Sequence, residues 1–385
     1  VGNLNWKFFQ KKILRLFACL CTILDRLAWI LRLYANPAEV KRPRVDFRAS
    51  LTETIAMRQN LIELHHHLDG AFRCASLYEE AKRRRLPQGN LDREIFCEKT
   101  TVSPSCSTLS EFLQTFYFFY EIAQSPQFME RAAFEAAEDM HNAGVIYAET
   151  RFAPHLLSTQ EYSPEDIVQS VLRGLGRANK ELGITVRVIL TMMRGRAIQE
   201  LHEIIDLYNT YKGIGLAGID LAGDETLHSG REYAPLFNEA SEAGIPVTIH
   251  AGEGTSAQRV REAILLFGAN RIGHGIKAAE DESVMDLLIE RNIPLETCLT
   301  SNLHTGTVQN ISKHPVGIFL KRGVPVTINT DDPAISGITL ASEWDLFRAT
   351  FSPDTNTVQK ILFTSAQASF APDRTKEALY KIFPE

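Results

Sequence analysis

The sequence predicts an α/β chain folded as a (β/α)8 barrel. Three observations carry that expectation. Eight short apolar runs recur from residue 61 onward. Segments whose apolar residues repeat at helical spacing separate most of them. Ionisable residues gather at the carboxyl ends of several runs, where barrels of this class carry their chemistry. A length of 385 residues accommodates a barrel of about 250 residues with additions. A doubly wound sheet is the alternative, but no glycine-rich turn follows the first run, so the dinucleotide fingerprint is missing.

Residues 1–50 stand apart. They are basic and acid-poor, with Lys7, Lys11, Lys12, Arg15, Arg26 and Arg32 set among Phe8, Phe9, Ile13, Leu14, Leu16 and Phe17. They read as an extension outside the catalytic fold, which is expected over residues 51–385. An amphipathic surface or targeting helix is the secondary reading, with membrane association its weaker consequence. A third reading is a start that is not the native one, since the chain opens on Val1.

The first strand, 61–64, runs into His65-His66-His67-Leu68-Asp69-Gly70. Strand side chains at i and i+2 leave the same face, so His65 and His67 point at one centre and His66 points away. The stretch 87–127 is longer than an ordinary connection. It carries Leu109, Phe112, Leu113, Phe116 and Tyr117 at helical spacing. A helix packing its apolar stripe on the barrel explains the spacing, and a lid over a pocket is compatible with it. Further strands are expected at 145–152, 185–192, 216–221, 246–250, 271–274, 294–298 and 325–329. Helices are expected at 163–182, 197–211, 231–243, 257–267 and 283–291. Gly183, Gly244 and Gly323 close helices before the next strand. Residues beyond about 355 read as closing helices.

Composition narrows the function classes. Hydrophobic residues make up 44% and charged residues 23%, as in an ordinary soluble globular chain. A net charge of -6 gives no electrostatic reason to bind nucleic acid. Cys19, Cys21, Cys74, Cys97, Cys106 and Cys298 form neither a disulfide framework nor a paired Cys-x-x-Cys zinc site. A reducing compartment, hence the cytoplasm, is the expectation. No feature specifies an oligomeric state.

The strand ends carry the chemistry. The first offers His65 and His67, the fourth Asp220-Leu221-Ala222-Gly223-Asp224-Glu225, and the fifth His250-Ala251-Gly252-Glu253. The sixth offers Gly273-His274-Gly275 and the eighth Asn329-Thr330-Asp331-Asp332-Pro333. One ionisable residue at a strand end is more often structural. Five such ends together are costly for stability alone, because each buries groups that need partners. Three imidazoles and one carboxylate around zinc leave a position for water, the mark of a catalytic site. Glu253, beyond His250, could donate a proton to a substrate nitrogen if burial raises its pKa. His274 could orient the water or stabilise developing charge. Asp331 and Asp332 are adjacent, so only one faces the metal easily; Asp332 could equally be a turn-former before Pro333.

These stretches, together with Glu63-Leu64-His65-His66-His67-Leu68-Asp69-Gly70-Ala71 and Arg271-Ile272-Gly273-His274-Gly275, resemble the adenosine deaminase family of metal-dependent amidohydrolases. They fall in the family's order from about residue 61 to the C-terminus. The resemblance implies one zinc ion held by His65, His67, His250 and Asp331. It implies that Glu253 protonates N1 of a purine, that His274 holds and helps deprotonate the zinc water, and that Asp332 bonds N7. It places the Gly223 backbone at N3, Asp69 at a ribose 5′-hydroxyl, and Phe112, Leu113 and Phe116 in an apolar lid. The implied reaction is hydrolytic deamination of adenosine or 2′-deoxyadenosine at C6, releasing ammonia and inosine or deoxyinosine, as in purine salvage.

Nearby alternatives differ in substrate or in activity. Sister deaminases act on adenine, N6-methyl-AMP or aminodeoxyfutalosine, and a silent binding protein could use the same barrel. By resemblance, Glu at the Asp69 position goes with the free base and Asn with the nucleotide. A carboxylate repels a 5′-phosphate and accepts from a 5′-hydroxyl, so Asp69 favours a nucleoside. The pattern of base deaminases on nucleic acids, His-x-Glu with Pro-Cys-x-x-Cys, is absent: Pro104-Ser105-Cys106 has no second cysteine at that spacing. No lysine ends the fourth strand, which favours one metal over a lysine-bridged pair.

Overall fold

The computed structural model describes residues 60–385. The extension expected over residues 1–50, with its surface-helix reading, lies outside the described residues. Eight parallel strands form one sheet in the order of the chain. They are β1 (Leu61–His67), β2 (Val145–Phe152), β3 (Thr185–Met193), β4 (Leu216–Ala222), β5 (Val247–Ala251), β6 (Arg271–His274), β7 (Leu295–Thr297) and β8 (Val326–Ile328). Helices alternate with them on the outside, and the expected (β/α)8 barrel is the observed fold. β2 and β6 keep the expected bounds; the other strands shift at an end by one to three residues, the largest change being the run of β1 through His67.

The ring is joined between β1 and the segment after β8. The His67 N–H donates to the Asp331 carbonyl at 2.7 Å, and the Asp331 N–H donates to the His65 carbonyl at 2.8 Å. Below them the Leu64 N–H donates to Asn329 Oδ1 at 3.0 Å. The residues that close the seam are therefore also residues expected to do chemistry.

The strands are apolar runs because a parallel barrel buries both of their faces. Outward side chains such as Val188, Leu190, Ile219 and Ile249 join helix residues such as Ile167, Val171 and Ile204 in one continuous core. Local chemistry sets the helix ends. Ser163 and Asp166 form a reciprocal capping box at the start of Pro164–Leu182, and Gly183 ends that helix at φ +79°.

The long excursion after β1 forms α1 (Cys74–Arg83), α2 (Arg93–Lys99) and α3 (Leu109–Tyr117). Thr108 caps α3 by accepting from the Glu111 N–H. Cys74 and Cys97 form a disulfide between α1 and α2, with Cα atoms 5.5 Å apart. This corrects the expectation of unpaired cysteines, and with it the reason for expecting a reducing compartment. The partners lie 23 residues apart and meet only because two helices fold against each other. Among the described residues, no helix is long and apolar enough to cross a membrane.

Candidate active site

Five side chains converge at the carboxyl end of the barrel. His65 Nε2 lies 3.2 Å and His67 Nε2 3.3 Å from Asp331 Oδ1. His67 Nε2 lies 3.2 Å from His250 Nε2. Single ligand atoms of His65, His250, His274 and Asp331 all fall within 4.8 Å of one another. His66 turns away, as strand alternation requires, and its Nδ1 meets Thr150 Oγ1 at 2.9 Å. Of the adjacent aspartates, Asp331 is the one beside the histidines. Asp331 and His274 hold left-handed backbone at φ +68° and +59°. Such conformations are uncommon for non-glycine residues and concentrate where function needs a particular side-chain direction.

Hydrogen bonding decides what this cluster fits. His65 Nδ1 lies 2.7 Å from Glu296 Oε2, and His250 Nδ1 lies 3.1 Å from Asp220 Oδ1. A carboxylate only accepts, so each Nδ1 carries a proton, and in the neutral ring each Nε2 is left with a lone pair. The buried His65 Nε2 indeed has no hydrogen-bond partner. It faces a carboxylate oxygen at 3.2 Å, two lone-pair atoms that repel unless a cation joins them. Imidazole nitrogens and a carboxylate oxygen are the donor set that a zinc-like divalent ion takes.

A buried charge network holds these imidazoles from below. Arg151 Nη2 binds Glu296 Oε2 at 2.8 Å, and Arg151 Nη1 reaches Asp220 Oδ2 at 3.3 Å. Arg271 binds Glu296 Oε1 and Glu149 Oε2, each at 2.6 Å. Burial alone would raise the Glu296 pKa, but the two guanidinium groups overcome it and hold the carboxyl well below its ordinary range. The ionised carboxylates fix the histidine tautomers.

Acid groups stand on the other side of the cluster. Burial first, then the charges of Asp331 and Glu225, push Glu253 up to about 8. Thr305 Oγ1 and Asn302 Nδ2 donate to Glu253 Oε1 at 3.2 and 3.3 Å. Glu225 holds the loop that carries Glu253, accepting from the N–H groups of Gly252, Gly254 and Thr255 at 2.9, 2.7 and 3.1 Å. Burial and the neighbouring Asp331 carboxylate push Asp332 well above its ordinary range. Gly70 lies against it: a Cβ there would come within 1.9 Å of Asp332 Oδ1. Burial raises Asp69 to about 6. The Tyr120 hydroxyl donates to Asp69 Oδ2 at 3.2 Å, and Asp69 Oδ1 has no partner among the described residues.

One tight cavity, about 60 Å3, lies against most of the cluster and against the carboxyl groups of Glu253, Asp332 and Asp69. Its wall includes His67, Asp69, Gly223, His250, Glu253, His274, Asp331 and Asp332, while the fully buried His65 lies behind it. Leu109, Phe112, Leu113, Phe116 and Tyr120 cover it from the excursion after β1. Helix α3 thus both packs on the barrel and covers the site. A larger cavity of about 340 Å3, lined by Asn270, Asn292, Thr364 and Lys376 among others, touches none of the clustered residues.

Every site residue expected from the sequence lies in or beside this cluster. Sequence reasoning missed Tyr120, Glu296, Asn302 and Thr305, and gave Asp220, Glu225 and Arg151 no task. Glu296 and Arg151 carried a usable signal, being charges inside apolar strand runs. Asn302 and Thr305 sit in an ordinary-looking polar stretch and carried none.

Comparison with known proteins agrees with this geometry. The family model described as adenosine deaminase matches residues 61–383. Adenosine deaminase of Clostridium botulinum (strain Kyoto / Type A2) is 36% identical over 318 residues, covering 83% of this chain and 95% of that protein. The Clostridium perfringens (strain SM101 / Type A) enzyme is 35% identical, covering 83% and 96%. Among solved structures, adenine deaminase from Arthrobacter aurescens superposes with a TM-score of 0.76 at 26% identity, covering 83% and 97% of the two chains. An Arabidopsis homologue complexed with IMP shares the fold at TM-score 0.76 and 24% identity, over 86% and 97%. The chain therefore belongs to the adenosine deaminase family, metal-dependent hydrolases that act on C–N bonds.

Proposed function

We propose that this protein hydrolyses adenosine and 2′-deoxyadenosine to their inosine counterparts and ammonia. The observation that carries the reading is the pair of carboxyl groups, Glu253 and Asp332, held above their ordinary pKa in one cavity beside the histidine–aspartate cluster. A protonated carboxyl is a hydrogen-bond donor. A purine offers acceptors at N1 and N7. Glu253 protonates N1 and so makes C6 electrophilic. Asp332 donates to N7 and holds the ring in place. His65, His67, His250 and Asp331 would hold one zinc ion, which when bound would lower the pKa of a water towards about 7 and so supply a nucleophile at neutral pH. His274 stands 3.7 Å from both Glu253 and Asp331, where it meets the attacking oxygen. The backbone of Gly223 meets N3. Leu109, Phe112, Leu113 and Phe116 close over the base and exclude water.

Asp69 favours a nucleoside. Its unpartnered Oδ1 accepts a 5′-hydroxyl. Among the described residues, no lysine or arginine lines the cavity to balance a phosphate, while the Asp69 carboxyl does line it. IMP and GMP occupy Arabidopsis homologues that share the fold; Asp69 here argues against a nucleotide substrate. The cytoplasmic assignment loses its cysteine argument with the Cys74–Cys97 disulfide.

The test is the loss of adenosine absorbance on conversion to inosine, with and without a chelator. Adenosine and 2′-deoxyadenosine are expected to react fast and only with metal present. Adenine, N6-methyl-AMP and aminodeoxyfutalosine serve as competing substrates. Preferential turnover of any of them would replace the nucleoside reading. No turnover of any substrate by metal-loaded protein would leave a silent binding barrel.

A further inference from the structure

His314 lies outside the cavity, is buried at 2% exposure, and has no part in the reading above. Its hydrogen bonds nevertheless reach the reaction centre. The Val316 N–H donates to His314 Nδ1 at 3.1 Å. A backbone N–H can only donate, so Nδ1 carries the lone pair. Burial lowers the His314 pKa to about 4, so near neutral pH the ring is uncharged and its proton is on Nε2.

That proton needs an acceptor. Nε2 lies 3.1 Å from Asn302 Oδ1, which settles which end of the Asn302 amide is the oxygen. The Asn302 backbone is held as well: its carbonyl accepts from Thr307 Oγ1 at 3.0 Å and from the Val308 N–H at 2.9 Å. Asn302 Nδ2 therefore faces inward, 3.3 Å from Glu253 Oε1 and 3.2 Å from His274 Nδ1. An amide NH2 only donates. His274 Nδ1 is thus the acceptor, and the proton of the neutral ring sits on Nε2. His65 and His250 show the opposite pattern, with Nδ1 facing a carboxylate.

We propose that His314 and Asn302 are positioning residues that hold His274 in the Nε2–H tautomer, so that His274 meets the reaction centre as a hydrogen-bond donor. The family resemblance gives His274 a share in deprotonating the nucleophile. An Nε2 that already carries a proton has no lone pair for that task, nor one for a metal ion. The proposal rests on the deaminase reading only for its effect on rate; the tautomer itself does not depend on the substrate.

The test is two-bond 1H–15N correlation spectroscopy of protein labelled with 15N-histidine, zinc-loaded and metal-free. His274 is assigned by the signal missing in His274→Gln. The expected result in both states is a protonated Nε2 and an unprotonated Nδ1. An Nδ1–H tautomer in wild type, or a metal-shifted Nε2, overturns the proposal. Asn302→Asp presents an acceptor to Nδ1 and is expected to move the proton there. It should lower kcat on adenosine by about 10²-fold, the usual cost of losing a positioned donor, with little change in KM. An unmoved proton in Asn302→Asp overturns the role of Asn302. Should that variant not fold, His314→Phe frees the Asn302 amide to flip: mixed His274 tautomers support the proposal, and an unchanged Nε2–H overturns it. Failure of wild type to act on adenosine would remove the proposed substrate and leave the tautomer result standing.

Discussion

Glu296 Oε2 lies 2.7 Å from His65 Nδ1, with both side chains fully buried. The same oxygen lies 2.8 Å from Arg151 Nη2. The carboxylate therefore does two things: it sets the imidazole tautomer and it neutralises a guanidinium inside the barrel. Outer partners of this kind orient metal ligands, and their loss typically costs about 10–100-fold in metal affinity. Glu296→Gln is expected to weaken zinc by that factor, measured by competition with a chromophoric chelator. It also leaves Arg151 and Arg271 short of a counter-charge, a destabilisation of about 3–5 kcal/mol, read by urea unfolding. Unchanged zinc affinity would detach Glu296 from the metal site.

Glu253→Gln separates chemistry from folding. A glutamine cannot supply the proton, so kcat should fall by about 10²–10⁴-fold. Stability should move the other way. Burial, aided by Asp331 and Glu225, raises the folded-state pKa from 4.5 to about 8. The folded chain thus binds this proton more tightly than the unfolded chain. The contribution is fully present below pH 4.5 and is lost as the pH rises towards about 8. Each unit of such a shift corresponds to about 1.4 kcal/mol. Metal-free Glu253→Gln should therefore unfold at a higher temperature than metal-free wild type above pH 8, and the gap should narrow towards pH 5. A gap that widens on acidification would contradict the raised pKa.

The outline of this site is legible in the sequence because strand geometry is nearly one-dimensional. An apolar run ending in His65-x-His67 fixes which side chains share a face, and parallel strands bring their carboxyl ends together. Spacing alone does not choose between Asp331 and Asp332, because the choice depends on the left-handed turn at Asp331; the family resemblance does choose. Asn302 and His314 are not legible. Their bond joins the short helix after β7 to a segment 12 residues further on, and no periodicity marks it. The Cys74–Cys97 pair escapes for a related reason: spacing rules describe local ligands, while this pair depends on how α1 meets α2.

Tyr120 and Asp69 give a substrate-level test. The tyrosine hydroxyl occupies one carboxylate oxygen, and the other has no partner among the described residues. In Tyr120→Phe, Asp69 loses that anchor but the apolar wall remains. A hydrogen bond of this kind is worth about 1 kcal/mol, or roughly fivefold. The value of kcat/KM for adenosine should fall by that factor, mainly through KM. For 5′-deoxyadenosine, which has no hydroxyl to place, it should hardly change. An equal loss on both substrates would mean that Tyr120 acts on the lid rather than on the 5′ end.

The disulfide sits at the base of the excursion that carries the lid helix. It closes a loop between residues 23 apart, and the loop-entropy relation gives such a link about 3 kcal/mol. Phe96 holds the same region independently: it is fully buried and packs on Tyr78 and Phe118 at centroid distances of 5.1 and 5.2 Å. Cys97→Ser should therefore loosen α1 against α2 without unfolding the barrel. The expected readings are a fall in unfolding free energy of at most about 3 kcal/mol, faster amide exchange confined to α1 and α2, and unchanged zinc affinity. The histidine–aspartate cluster lies on strand ends and on the segment after β8, outside the closed loop. Lost zinc affinity in Cys97→Ser would show that the excursion holds the cluster as well as covering it.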